Sequence, residues 1–366
     1  MTALVEDKYG RIESMLTALE ALVRCESPTE DLDACRDVVK LASDIATQIL
    51  GVPAHTREVN GRPVFWWGNE NPQIVLLGHL DTVWPKGSFT PLWDVDGDVA
   101  RGPGIFDMKA GFTQALFALK GISGSVALVA TTDEETGSET SRELIKELAE
   151  GAKAVLVLEA AVDGKVKTGR KGTSMYQVNV HGRAAHAGLE PEKGINATVE
   201  IAEIILQLAS LKNAEHGTTV VPTLLRSGNT TNTVPDHAVL DIDARSFSQA
   251  ELVRVDGAIR ALQPVNSEAR IEISGGLNRP PLELSATKDL YQRAEKVASQ
   301  LGMTLGHASV GGASDGNFAA AAGARVLDGL GAVGAGAHAK NEWVSVKALQ
   351  ERSEFLHAFI EELLND

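Results

Sequence analysis

The chain has 366 residues, a formal net charge of −15, 43% hydrophobic residues and two cysteines, Cys25 and Cys35. That length suits two domains, or one with a large insertion, and the charge disfavours nucleic acid and anionic membrane surfaces as partners. No stretch approaches the roughly 20 apolar residues of a membrane helix, the start lacks a basic segment followed by an apolar one, and two cysteines make neither a disulfide framework nor a thiolate metal site, so a soluble, cytoplasmic protein is expected.

Amphipathic spacing predicts helices over Tyr9 to Cys25 and Leu32 to Leu50. The apolar run Ile74 to Leu77, between Pro72 and Gly78, reads as a buried strand. A helix from about Met108 to Leu119 follows, then the apolar strand Val126 to Ala130, a helix through Leu148 and the strand Ala154 to Leu158. Wholly apolar strands alternating with helices imply a mixed, mostly parallel α/β sheet covered on both faces. From Thr173 the pattern changes. Met175 to His181 alternates, Gly194 to Leu211 is helical, Thr218 to Leu225 and Ala238 to Arg245 read as strands, Gln249 to Leu262 as helix, and Ala269 to Ile273 alternates again. This βαββαβ order is the ferredoxin-like arrangement, with one sheet face covered by helices. The first pattern then resumes, with helices from Ala286 to Leu301 and Asp315 to Ala322, strands near Leu305 and at Arg325 to Leu327, and a closing helix from Val346 to Leu364. A discontinuous catalytic domain over 1–172 and 285–366 is therefore expected, interrupted by an inserted α+β lid over 173–284, with hinges near Gly172 and Leu284. The Gly/Ala-rich stretch Gly329 to Gly336 reads as a close-packed loop.

Acids and histidines recur where those strands end. His79 and Asp81 follow the Ile74 strand, at the edge where open α/β sheets take their ligands. A lone His-x-Asp is usually a core histidine beside a turn; here Asp81 sits where it can orient the ring of a metal-bound His79. Asp107, just before a predicted helix, is either an N-cap or a carboxylate shared by two cations. Asp133, Glu134 and Glu135 close the Val126 strand and repel one another unless cations compensate. In the functional reading Glu135 binds metal and Glu134 is the general base for a metal-activated water. Glu159 closes the Ala154 strand and His338 lies in a late loop. His79, Asp107, Glu135, Glu159 and His338 thus supply two cations with one imidazole and one unshared carboxylate each, plus a shared Asp107. Mixed N/O donors favour two Zn2+, with Co2+ or Mn2+ as substitutes.

The segments Gly78-His79-Leu80-Asp81-Thr82-Val83, Gly102-Pro103-Gly104-Ile105-Phe106-Asp107-Met108-Lys109, Thr132-Asp133-Glu134-Glu135-Thr136-Gly137-Ser138 and Gly182-Arg183-Ala184-Ala185-His186-Ala187-Gly188 resemble the co-catalytic metallopeptidase family of glutamate carboxypeptidase, acetylornithine deacetylase, succinyl-diaminopimelate desuccinylase and aminoacylase. The resemblance covers essentially the whole chain. It implies His79 and Glu159 on one zinc, Glu135 and His338 on the other, Asp107 bridging, and a cis peptide between Asp107 and Met108. It further implies a homodimer through the inserted domain, with His186 reaching a neighbouring subunit's site to steady an oxyanion, Asn232 as another polar contact, and Arg245 as the clamp for a substrate carboxylate. Spacing alone would make His186 a surface histidine and pair Arg245 with Asp241 or Asp243. Arg183 to Gly194 and Val310 to Gly316 resemble the glutamate carboxypeptidase subgroup, and the Gly311-Gly312 turn can offer N–H groups to an anion.

The expected activity is metal-dependent cleavage of an amide beside a free α-carboxylate in small peptides or N-acyl amino acids. Its alternatives are an N-acyl amino acid deacylase, a two-metal phosphoesterase, which only weak Gly turns favour, and a non-catalytic binding protein on the same fold, disfavoured by the intact set of ligands and base.

Overall fold

The structure, a computed structural model, describes residues 2–365, with side chains from residue 11 onward. It divides into two compact units. The first holds the chain up to Gly169, Leu284–Ser309 and Ser314 onward; the second holds Arg170–Glu283 and Val310–Ala313.

The first unit is built on a six-stranded sheet ordered His55–Val59, Arg62–Gly68, Val126–Thr131, Ile74–His79, Ala154–Val157, Val326–Leu327. The last four pair in parallel, and the first two form an antiparallel hairpin added at one edge. Every residue of the three central strands Ile74–His79, Val126–Thr131 and Ala154–Val157 is buried, as their unbroken apolar runs require of a sheet covered on both faces. Helices Leu32–Leu50, Ala110–Ala118, Leu284–Gln300 and Val346–Leu364 bury Val38, Phe112, Leu290 and Phe355 in that core. The sequence reading has neither strand of the hairpin: His55–Val59 is largely exposed and carries no apolar run, whereas Arg62–Gly68 does carry one, Val64 to Trp67. The strand expected at Leu305 lies two residues later, at His307–Val310, while Leu305 itself is core. The Gly329 to Gly336 stretch is the close-packed loop expected, ending in a short pairing of Gly334–Ala335 with Trp343–Ser345.

In the second unit four antiparallel strands are ordered Thr219–Ser227, His237–Ser246, Gly172–His181, Arg270–Arg279. Helices Ala197–Ala209 and Gln249–Arg260 complete the βαββαβ order. Strict alternation puts Tyr176, Val178, Val180, Leu240 and Ile242 into a core under the helices and leaves Met175, Gln177 and Asp241 on the open face. The segment Val310–Ala313, which the sequence reading left with the outer domain, belongs to this unit. Its carbonyls are the reason: Val310 O accepts from Lys171 N at 3.1 Å, and Gly312 O and Ala313 O accept from the Arg170 guanidinium at 3.3 and 3.2 Å.

No helix among the described residues is long and apolar enough to cross a membrane. Both cysteines are free; Cys25 is half-buried and Cys35 lies in the core, where burial and then the nearby charge of Asp81 push its thiol up to about 12. At pH 8 only about one Cys35 in ten thousand would be thiolate. Titration of the native protein with a thiol-exchange reagent should therefore leave Cys35 unreacted and reveal it only on unfolding; rapid native labelling at Cys35 would contradict this packing.

Candidate metal centre and active site

The donors come together at the carboxyl ends of the parallel strands. His79, Asp107 and Glu159 form one cluster and Asp107, Glu135 and His338 a second, each with ligand atoms within 4.8 Å of one another. Asp107 faces both. Its Oδ1 is 3.3 Å from His79 Nε2 and its Oδ2 is 3.4 Å from His338 Nε2. Glu159 Oε1 lies 3.8 Å from His79 Nε2, and Glu135 Oε2 lies 3.0 Å from His338 Nε2.

Each donor owes its place to a local device. His79 is the last residue of a buried strand, and its Nδ1 faces the Asp81 carbonyl at 3.0 Å and Asp81 Oδ1 at 3.3 Å, which leaves Nε2 for the cluster. Asp81 is fully buried, and its Oδ2 also accepts from Thr29 Oγ1 at 2.8 Å and from the backbone N of Glu135 at 3.2 Å. One carboxylate thus ties the imidazole of one cluster to the acid of the other.

Asp107 is no N-cap. It sits in a wide turn, Ile105–Lys109, with non-helical φ −117° and ψ 90°, and the helix begins only at Ala110. The Asp107-Met108 peptide is cis. Gly104 opens the turn at φ +65°, where a Cβ would meet Thr82 Cγ2 at 2.3 Å. The turn closes on Lys109, whose buried ammonium donates to the Leu22 and Cys25 carbonyls at 2.9 Å each, at the end of the first helix. Glu159 follows the Ala154 strand between Gly111 and Gly331, where a Cβ on either would come within 2.1 Å of the Leu158 carbonyl.

Glu134 and Glu135 occupy a single 3-10 turn after the Val126 strand, with Glu135 turned to His338. Asp133 takes no part in a repelling acidic trio. It is buried and accepts from Thr140 N at 2.8 Å, Ser141 N at 3.2 Å and Ser141 Oγ at 2.6 Å, pinning the following loop.

The sequence reading overlooked two ionisable side chains. Lys167 lies 3.6 Å from Glu159 Oε2. Glu342 is completely buried, and its carboxylate accepts from the backbone N of Gly104, Phe106 and Asp107 and from Trp84 Nε1. Its place four residues after His338 is the only sequence signal it gives.

Burial works against a charged ring at His79, but the carboxylates of Asp107 and Asp81 outweigh it and hold the imidazole well above its ordinary pKa. Hydrogen bonds to Asp107 and Glu135 raise His338 to about 10, while burial is outweighed at Asp107 by the two imidazoles, which keep it ionised far below the usual carboxylate range. Burial raises Glu135. Three carboxylates thus draw positive charge to one spot, and two imidazole nitrogens with four carboxylate oxygens form a donor set that suits divalent cations.

The remaining sequence-predicted residues lie in the second unit. His186 is exposed, and its Nδ1 accepts from Gly188 N at 3.1 Å and Leu189 N at 3.2 Å, so the ring proton sits on Nε2. Asn232 belongs to the same turn cluster, its carbonyl accepting from Ala187 N at 2.9 Å. Arg245 makes a two-pronged pair with Asp243, at 2.9 and 3.0 Å, and donates through Nη1 to the Gly311 carbonyl at 3.3 Å. Both Gly311 and Gly312 therefore offer carbonyl oxygens to arginines within this unit, a use the sequence reading did not foresee.

The sequence pattern of Peptidase family M20/M25/M40 matches residues 75–362. The chain belongs to this family. Carboxypeptidase G2 of Pseudomonas sp. (strain RS-16) is 34% identical over 303 residues, covering 78% of this chain and 72% of that protein. A succinyl-diaminopimelate desuccinylase of Sulfurovum sp. is 26% identical over 307 residues, covering 77% and 82%. Among solved structures, the aminopeptidase PepT of Bacillus cereus superposes with a TM-score of 0.79 at 22% identity, covering 96% of this chain and 98% of its own, and an M20 family metallo-carboxypeptidase of Sulfolobus solfataricus with 0.75 at 17%, covering 96% and 99%. At those identities the likeness speaks for the fold alone. This M20 family chain is a metal-dependent hydrolase acting on amide bonds, and the paired clusters are its candidate metal centre.

Because the folded pKa of His338 is raised above its ordinary 6.5 to about 10, its pairing stabilises the cation-free fold fully below pH 6.5 and is lost as pH rises through 10. With chelator present, the melting temperature of the wild type should exceed that of His338→Gln at about pH 6 and the gap should close toward pH 10. A gap that stays constant over that range would contradict the paired imidazolium.

Proposed function

We propose that this M20 hydrolase is a cytoplasmic, homodimeric di-zinc enzyme of the glutamate carboxypeptidase kind, cleaving an amide next to a free α-carboxylate in small peptides or N-acyl amino acids. The observation that carries the reading is Asp107, whose two oxygens face the imidazoles of two separate clusters. His79 and Glu159 would hold one zinc, Glu135 and His338 the other, and Asp107 both. The bound ions supply Lewis acidity, polarising the scissile carbonyl and making a water acidic enough to lose its proton near neutral pH.

Glu134 is the general base: it takes the proton from the attacking water and returns it to the leaving amine nitrogen. Asp81 keeps the His79 ring in one tautomer. His186, with its proton on Nε2, is a donor suited to an oxygen that turns negative, and the family resemblance supports its acting on a partner subunit's site. Arg245 would receive the substrate carboxylate through the edge of its guanidinium that Asp243 leaves, with the Gly311-Gly312 turn beside it, while Asn232, in the turn cluster of His186 at the other end of that strand, would be a further substrate contact. The likeness to carboxypeptidase G2 supports a C-terminal glutamate, and the likeness to succinyl-diaminopimelate desuccinylases supports a second reading, N-acyl amino acid deacylation by the same machinery.

Glu134→Gln should lower kcat by roughly 10²- to 10⁴-fold while zinc content, measured by atomic spectroscopy, stays at the wild-type level. Full turnover by Glu134→Gln would refute the base. A panel of acyl-glutamates, glutamyl dipeptides, acetylornithine and succinylated amino acids, run with a chelated control, separates the two substrate readings by the preferred C-terminal residue.

Mixed dimers test the trans role of His186. Neither His186→Ala nor Glu134→Gln should turn over alone, yet equal mixing after dissociation should restore about a quarter of wild-type activity, since half the dimers pair an intact Glu134 with an intact His186 of the neighbour. Mixing that restores nothing, with mixed dimers shown to form, would confine His186 to its own subunit.

A further inference from the structure

Resting on the metal-centre reading above, we propose that Glu342 is the positioning residue of that centre: its carboxylate fixes the turn carrying Asp107 to the loop carrying His338. Glu342 does not point at either cluster. Its Oε1 accepts from Phe106 N at 2.8 Å and Asp107 N at 3.1 Å, and its Oε2 accepts from Gly104 N at 3.1 Å and Trp84 Nε1 at 3.2 Å. Three of these donors are backbone groups of one short turn, Gly104, Phe106 and Asp107, with only Ile105 N turned elsewhere, to Gly102 O; converging backbone N–H groups of this kind in other proteins capture a bound anion. Here the anion is supplied by the chain itself, from 235 residues away.

The other end of the connection is equally tight. Glu342 N donates to Ala339 O at 3.0 Å and Ala339 N to Gly336 O at 2.8 Å, so residues 336–342 close on themselves with His338 at the tip. His338 holds a left-handed φ of +60°, uncommon for a residue with a side chain, and Gly336 at φ +87° leaves no room for a Cβ beside Glu342 Cα, 2.9 Å away. The loop has one shape, and the Glu342 carboxylate docks that shape onto the Asp107 turn. The 3.4 Å approach of His338 Nε2 to Asp107 Oδ2 follows from the docking. Because Asp107 serves both clusters, an error in its orientation reaches both cations.

Glutamine at 342 keeps the size and burial of the side chain but sets an NH2 group against N–H donors, so at least two hydrogen bonds become donor-to-donor clashes. In metal-free Glu342→Gln, amide hydrogen exchange over residues 104–107 should be fast where the wild type is protected. Titration with Co2+ should show affinity lower by roughly 10- to 100-fold and an altered visible absorption for both ions, and kcat should fall by a similar factor with KM changed less than about twofold. Ser345→Ala is the control. It removes the cap of the last helix, whose hydroxyl accepts from Ala348 N at 3.1 Å, and should lower the melting temperature while leaving the cobalt spectrum as in the wild type.

Glu342→Gln with a lower melting temperature but wild-type cobalt affinity and absorption would reduce Glu342 to a structural residue and overturn the proposal. Should that variant fail to fold, Glu342→Asp, which keeps the charge but withdraws it by one methylene, is judged by the same readouts. Wild-type protein that takes up no Co2+ would sink the metal-centre reading itself, an outcome distinct from a wild type that loads normally beside a Glu342→Gln that loads just as well.

Discussion

Asp107, Glu135 and Glu159 converge on one small region, and the rest of the first unit answers that repulsion. Two unit charges about 4 Å apart at an effective dielectric near 20 interact by about 4 kcal/mol, so three carboxylates left uncompensated would consume a large part of the roughly 5 to 15 kcal/mol by which a domain is stable. Positive charge is therefore obligatory. Without cations, protons on His79 and His338 supply it, which is why both imidazoles are shifted upward and Asp107 downward. Bound cations would take the place of those protons, and the two ring nitrogens would then be free to ligate, with Asp107 already dividing its two oxygens between the rings.

Holding acids that close demands a rigid frame, and the buried sheet provides it. Three central strands are buried along their whole length and apolar up to their ends, and the functional groups stand at or just beyond those ends: His79 as the last residue of its strand, Glu134 and Glu135 after Thr131, and Glu159 after Val157. Small residues then let the donors draw together. Gly111 and Gly331 clasp the Leu158 carbonyl ahead of Glu159, and Gly104 opens the turn for Asp107. Lys109 donates instead to the open carbonyls of Leu22 and Cys25, so the turn is anchored without its ammonium entering the cluster.

How much of this the sequence discloses depends on how far apart the interacting groups are along the chain. Apolar runs and the acids that close them are local patterns, so the central strands, Glu135 and Glu159 are legible, as is the alternation that builds the second sheet. The edge strand His55–Val59 is not, because it is largely exposed and has no apolar periodicity to display; its partner Arg62–Gly68 does carry an apolar run, Val64 to Trp67, which the sequence reading passed over. Asp133 looks like one acid of three, and only the hydroxyls and amides of Thr140 and Ser141 show that it faces the other way. Glu342 is harder still. Its partners are mainly backbone N–H groups more than 230 residues distant, and a backbone donor carries no side-chain signature that spacing could reveal.

The division between the two units has its own logic. The candidate metal ligands and Glu134 all stand on the first, where the buried sheet leaves their geometry little freedom, while His186, Asn232 and Arg245 stand on the second, on a turn cluster and on the open face of a sheet. An open antiparallel face accepts polar substitutions at small cost, since its alternate residues never enter the core. In the proposed reading, recognition groups placed there would change without disturbing the charge balance at Asp107. Arg245 is the most constrained of these side chains: its two-pronged pair with Asp243 fixes the plane of the guanidinium, and Nη1 donates to the Gly311 carbonyl.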